Sequence, residues 1–168
     1  PVQTGNYYLV DDVNVPTMGL LEATEDVKLC LNGKTITVTG ENGRAYRVSG
    51  ALTITDCTAA TDENGVYQAG KITGGWSEHG GGINVEGDGA LYIESGNISG
   101  NHAKYGGGVY VADDAVCVMS GGSVTGNVAS QDGGGIFADY PVTVTGGVIS
   151  GNSAKYGGGY YFDEPDKK

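Results

Sequence analysis

Hydrophobic residues in this chain fall in short runs that alternate with polar ones, and no stretch sustains the 3.6-residue spacing of a helix. The runs recur in a fixed order. Ile83-Asn84-Val85, Val109-Tyr110-Val111, Ile136-Phe137-Ala138 and Tyr160-Tyr161-Phe162 each follow a glycine triplet, and the triplets begin at Gly80, Gly106, Gly133 and Gly157, spaced by 26, 27 and 24 residues. A second run comes next: Leu91-Tyr92-Ile93, Val116-Cys117-Val118 and Val142-Thr143-Val144. The third is Ile72-Thr73-Gly74, Ile98-Ser99-Gly100-Asn101, Val124-Thr125-Gly126-Asn127 and Ile149-Ser150-Gly151-Asn152. Three markers in the same order, complete three times and with two of them present a fourth time, define a structural repeat.

Three short strands per repeat, parted by Gly, Asn, Asp and Ser turns, predict an all-β fold: a right-handed, single-stranded parallel β-helix (β-solenoid). We expect about 5–6 coils of 24–27 residues and three short parallel sheets. The inward ladders should read Ile83, Val109, Ile136 and Tyr160; Leu91, Val116 and Val142; and Ile72, Ile98, Val124 and Ile149. Asn101, Asn127 and Asn152 should stack as an amide ladder inside a turn. Upstream, Tyr46-Arg47-Val48, Ala51–Thr55 and Lys71-Ile72-Thr73 continue the pattern, and Asn32-Gly33 marks a turn between two more strands.

Residues 1–168 read as one β-helix domain. Residues 1–26 match no repeat and are expected to cap the solenoid; 58–69 read as a loop insertion; 163–168 read as a polar tail or linker. The chain opens at Pro1 without a Met, as a processed chain or a piece of a longer protein does. Of three cysteines, Cys30 and Cys57 could be bridged, whereas isolated thiols on or under a sheet are the favoured arrangement.

The order apolar-x-x-Asn (Ile98 to Asn101, Val124 to Asn127, Ile149 to Asn152), then Gly-Gly-Gly-apolar, is similar to the repeats of polymorphic outer-membrane proteins. That family carries Phe-x-x-Asn and Gly-Gly-Ala-Ile/Leu/Val motifs on right-handed parallel β-helices; here Ile or Val stands in place of Phe. Gly5-Asn6-Tyr7-Tyr8-Leu9 with Leu29-Cys30-Leu31-Asn32-Gly33-Lys34-Thr35-Ile36 also resembles the opening of large cell-wall proteins of Gram-positive bacteria. The resemblance implies a module of a bacterial surface protein, acting in adhesion or as a scaffold.

Composition narrows the function. Lys plus Arg is 9 against 20 Asp plus Glu, a formal net charge of −11, which disfavours nucleic acid because neutralising phosphates takes a basic surface. No apolar run reaches the roughly 20 residues of a membrane-spanning helix. Neither the cysteines nor His79 and His102 have metal-ligand spacing, and no cofactor is expected. The one candidate ion is Ca²⁺ on an acidic ridge of Glu86, Asp88, Asp113, Asp114, Asp139, Asp163 and Glu164; a solvated charged turn explains the ridge as well.

With Ile and Val inward, the middle residue of the first strand points out, giving a ladder of Arg47, Asn84, Tyr110, Phe137 and Tyr161. Three exposed aromatics in a row would form a contact stripe for a protein or glycan on a host or neighbouring cell. Scaffold stacking is the competing explanation. An outward Thr row (Thr53, Thr55, Thr143, Thr145) is broken by Tyr92, Cys117 and Met119.

The expected function is therefore a non-catalytic, secreted or surface-held binding module or rigid spacer, with an exposed solenoid end able to pair with another copy. No catalytic residue is assigned. The alternative is a carbohydrate-binding or polysaccharide-processing protein using the singular residues Arg44, Arg47, Trp76, Glu78 and His79; a third reading is a purely structural module.

Overall fold

The computed structural model describes residues 3–16, 21–57, 64 and 68–163. The described chain is all β, wound as a parallel solenoid of about six coils. Each coil contributes one strand to each of three six-stranded sheets. The first sheet stacks Leu21–Ala23, Tyr46–Val48, Ile83–Val85, Val109–Val111, Ile136–Ala138 and Tyr160–Phe162, all parallel. The second runs from Gly5–Tyr8 to Thr143–Val144, and the third from Val13–Val15 to Val148–Ser150.

Alternation fixes what lies inside. Ile36, Ile72, Ile98, Val124 and Ile149 are register partners in the third sheet, and the first four are fully buried. Tyr46, Ile83, Val109 and Ile136 do the same in the first. Stacked ladders of this kind bury a continuous core although no single coil could do so. The amide ladder forms as expected. Asn101 Nδ2 donates to Asn127 Oδ1 at 3.0 Å, Asn127 Nδ2 donates to Asn152 Oδ1 at 3.0 Å, and each also donates to the backbone carbonyl of the preceding third-sheet strand.

Three expectations are corrected. The second-sheet ladder is shifted by one residue in a single coil: Leu91 pairs with Cys117, which is 1% exposed, while Val116 pairs with Ala90 and is 42% exposed. Val116-Cys117-Val118-Met119 is apolar throughout, so alternation could not choose a phase there. Cys117 and Met119 therefore point inward, and the outward row is Thr53, Tyr92, Val118 and Thr143 rather than a threonine row. The N-terminal strands supply the first member of every main sheet, in register with the next coil. Between the third and first sheets lies an unforeseen fourth, formed by Trp76–His79, His102–Tyr105 and Val128–Asp132. Most of the expected 58–69 insertion, and residues 164–168 of the tail, lie outside the described residues.

The last correction is covalent. Cys30 is bonded to Cys57, with Cα atoms 5.6 Å apart, rather than left as a free thiol. Cys30 is the register partner of Thr55, so coil stacking brings Cys57 alongside it just past the strand end. Cys117 stays free in the core, where burial pushes its thiol up to about 12 and removes its nucleophilic form. Reduction of the bridge should cost about 2–4 kcal/mol. Urea midpoints with and without reductant measure this, and Cys57→Ser should match the reduced protein.

Candidate binding face

The outward ladder of the first sheet has the expected register, Glu22–Arg47–Asn84–Tyr110–Phe137–Tyr161. Coils stack about 4.8 Å apart, close to the separation at which aromatic rings stack. Tyr110 and Phe137 lie 5.2 Å apart at an interplanar angle of 3°, and Phe137 and Tyr161 lie 5.5 Å apart at 17°. The stripe is not freely exposed, however. Phe137 and Asn84 are each only 5% exposed, and Arg47 is engaged by Glu86 at 2.5 Å and Glu22 at 3.8 Å. Arg44 is half-buried beside this group, and burial with the charge of Arg47 lowers the pKa of its guanidinium.

What covers Phe137 is a second row, carried by the fourth sheet just before the glycine triplets at Gly80 and Gly106. His79 and Tyr105 stack at 5.6 Å, His79 meets Tyr110 edge-on at 4.7 Å, and Tyr105 leans on Phe137 at 5.5 Å. The triplet turn brings the rows together. Gly106 has φ +65°, and a Cβ there would collide with the Val109 carbonyl, so the chain can turn this sharply only at glycine.

An open cleft of about 280 Å³ lies between the rows, lined by these aromatics with Asp132, Asp139 and Asp163. Tyr110 Oη donates to Asp139 Oδ2 at 2.5 Å. Burial raises the Asp139 carboxyl above its ordinary range while this hydrogen bond pulls the other way; burial and the bond to Asp139 both raise the Tyr110 phenol. The cleft thus offers aromatic walls and a negative floor, the complement of an apolar group carrying positive charge.

The second set of expected residues is divided. His79 belongs to the cleft, and Arg47 lies on the first sheet. Trp76, 62% exposed, stacks on His102 at 5.7 Å, and Glu78 pairs with Lys104 at 3.7 Å; together they line a separate open groove of about 440 Å³ on the fourth sheet. Glu78 is the one carboxylate among the described residues lining it, where a paired-acid glycosidase needs two. Among the described residues, no three His, Cys, Asp or Glu side chains are grouped to hold a metal ion. On the acidic ridge, Glu86 is occupied by Arg47 and Asp139 by Tyr110.

The second aromatic row was missed because its strands look polar: Trp76-Ser77-Glu78-His79 and His102-Ala103-Lys104-Tyr105 carry only Ser77 or Ala103 inward. The signal that could have found it is Ala-Lys-Tyr before a glycine triplet, present at both Ala103-Lys104-Tyr105 and Ala154-Lys155-Tyr156. No protein-family model, curated protein or solved structure matches this chain.

Proposed function

We propose that this chain is a non-catalytic binding module of a bacterial surface protein, acting outside the cell as an adhesin-like contact element on a rigid solenoid. The observation that carries this reading is the double aromatic row. Tyr110, Phe137 and Tyr161 are held at fixed spacing by main-chain pairing, with His79 and Tyr105 packed against them over an acidic cleft. Aromatic side chains on a stiff frame lose little freedom on binding, which is why they dominate contact surfaces. The Cys30–Cys57 bridge supports an oxidising compartment, where such bonds persist. The similarity to surface-protein repeats points the same way.

The partner is a protein or glycan of a host or neighbouring cell. Binding of the purified chain to arrayed glycans and surface proteins tests this, with Tyr110→Ser/Tyr161→Ser as the variant. The expected result is saturable binding that the variant loses, with stability reduced by about 0.2–1 kcal/mol for each aromatic pair and about 1 kcal/mol for the Tyr110–Asp139 hydrogen bond. A wild-type chain that binds nothing, or a variant that binds equally well, overturns the reading.

A second reading rests on Trp76, whose exposed ring stacked on His102 forms a platform of the kind a sugar ring covers. Glycan binding lost in Trp76→Ala and retained in the tyrosine variant would move the site to that groove.

A further inference from the structure

The second aromatic row has one interruption, and it sits in the middle of the cleft. His79, Tyr105 and Tyr156 precede three of the glycine triplets, but the remaining triplet is preceded by Asp132. Register pairs Asp132 with Tyr105 on one side and with Tyr156 on the other. The coil that carries it holds an additional residue: Ser130 and Gln131 stand where the neighbouring coil has Lys104 alone, and the ladder shifts register there. In a solenoid whose other features recur coil after coil, a local insertion that exchanges an aromatic for a carboxylate is a departure that packing alone does not call for.

The geometry of the vacancy is specific. Tyr105 and Tyr156 are two coils apart, about 9.6 Å along the axis, which leaves room for one planar group at about 4.8 Å from each. Phe137 and Tyr110 stand across the cleft on the first sheet. Asp132 lies at the base, and its Oδ1 is buried without a hydrogen-bond partner. A buried, unpaired carboxylate oxygen is costly and calls for a donor.

The chain's own lysines show which chemistry suits these rings. Lys104 Nζ lies 5.2 Å from the Tyr105 ring centroid, and Lys155 Nζ lies 5.2 Å from that of Tyr156, both within cation–π range. The coil between them has no lysine, because Ser130 and Gln131 occupy its place. Among the described residues, no ion pair engages Asp132, Asp139 or Asp163. The cleft is therefore a negatively charged aromatic slot that no lysine or arginine among the described residues lines.

We infer that the slot between Tyr105 and Tyr156, based on Asp132 and faced by Phe137 and Tyr110, receives a guanidinium or ammonium side chain from a basic segment of a partner protein. The inference rests on the reading of this cleft as a binding face, and it names the chemistry recognised there. A cation entering the slot gains ring contacts and the attraction of the Asp132 carboxylate. The net charge of −11 adds long-range attraction for a basic segment.

The test is an NMR titration of the whole chain with acetyl-Gly-Arg-Gly-amide, its Lys counterpart and its citrulline counterpart, which keeps the shape of Arg without the charge. The Arg and Lys peptides should give saturable shifts at Tyr105, Asp132 and Tyr156, and the citrulline peptide none. Asp132→Asn, isosteric and uncharged, should weaken Arg-peptide binding about tenfold with a melting temperature no lower than the parent's. Equal binding of Arg and citrulline peptides, an undiminished Asp132→Asn affinity, or no saturable shift overturns the inference. If the peptides fail while the tyrosine-dependent binding described above persists, the cationic ligand is wrong and the binding face stands. If both are lost, both fall.

Discussion

Asn127→Ala is expected to destabilise the protein by about 3–5 kcal/mol, read as a lowered urea midpoint with unchanged slope. The side chain is fully buried and bonded in both directions along the solenoid. Its Oδ1 accepts from the backbone N–H of Asn101 and from Asn101 Nδ2, each at 3.0 Å; its Nδ2 donates to the Ile98 carbonyl at 2.9 Å and to Asn152 Oδ1 at 3.0 Å. Alanine would strip the Asn101 N–H of its acceptor and the Ile98 carbonyl of a donor in a place water does not reach, and each such orphan costs about 1–3 kcal/mol. Asn152→Ala should cost less, because that residue is only half-buried. Asn127→Asp should resemble the alanine variant, since a carboxylate cannot donate to Ile98. An Asn127→Ala protein within about 0.5 kcal/mol of the parent would mean that the ladder is ornament and the apolar core alone sets stability.

The same residues show why this part of the fold could be read from the chain. Asn101, Asn127 and Asn152 recur at one phase of the repeat, and a buried polar ladder demands just such recurrence because each member satisfies the next. The Arg47–Tyr161 ladder was legible for a similar reason: flanking Ile and Val fix which residue points out, and the glycine triplets fix the register. What sequence could not convey was the environment on the outer side. Phe137 looks like an exposed aromatic until Tyr105, a coil earlier and on another sheet, is found leaning on it. The fourth sheet lacks the alternation by which strands are recognised, because Ser77, Ala103 and Ala129 are its inward residues and all are small. The disulfide depended on knowing that Cys30 and Thr55 are neighbours across 25 residues of chain, a consequence of coil register rather than of spacing. Asp132 is a different case. Its place before a glycine triplet was visible in the sequence, but its meaning came only from Tyr105 and Tyr156 on either side of it.

Gly107→Ala should be at least as damaging as the loss of Asn127, and for a reason that separates the glycines of the repeat into two kinds. Gly107 is the middle residue of its triplet and needs no unusual backbone angle. A Cβ there would nevertheless collide with the Gly134 carbonyl and come within 2.6 Å of the Val128 carbonyl, both main-chain atoms of the next coil. The same stretch is pinned by the hydrogen bond from Gly107 N to Gly133 O at 3.0 Å, so relief requires two coils to move apart and the ladder between them to break. Overpacking against side chains costs about 1–3 kcal/mol; against the fixed backbone of the next coil the expected loss is about 3 kcal/mol or more. Gly126→Ala is the control. Gly126 has φ +62°, and nothing lies within 4 Å of an added Cβ, so only the left-handed backbone is penalised, by about 1 kcal/mol. Solenoid stability is a chain of nearest-neighbour interfaces. Opening the contact between the Gly107 and Gly134 coils should therefore split one unfolding transition into two, whereas Gly126→Ala should leave a single transition at a slightly lower midpoint. Equal effects at the two positions would mean that backbone conformation, and not the approach of successive coils, is what the triplets exist to satisfy.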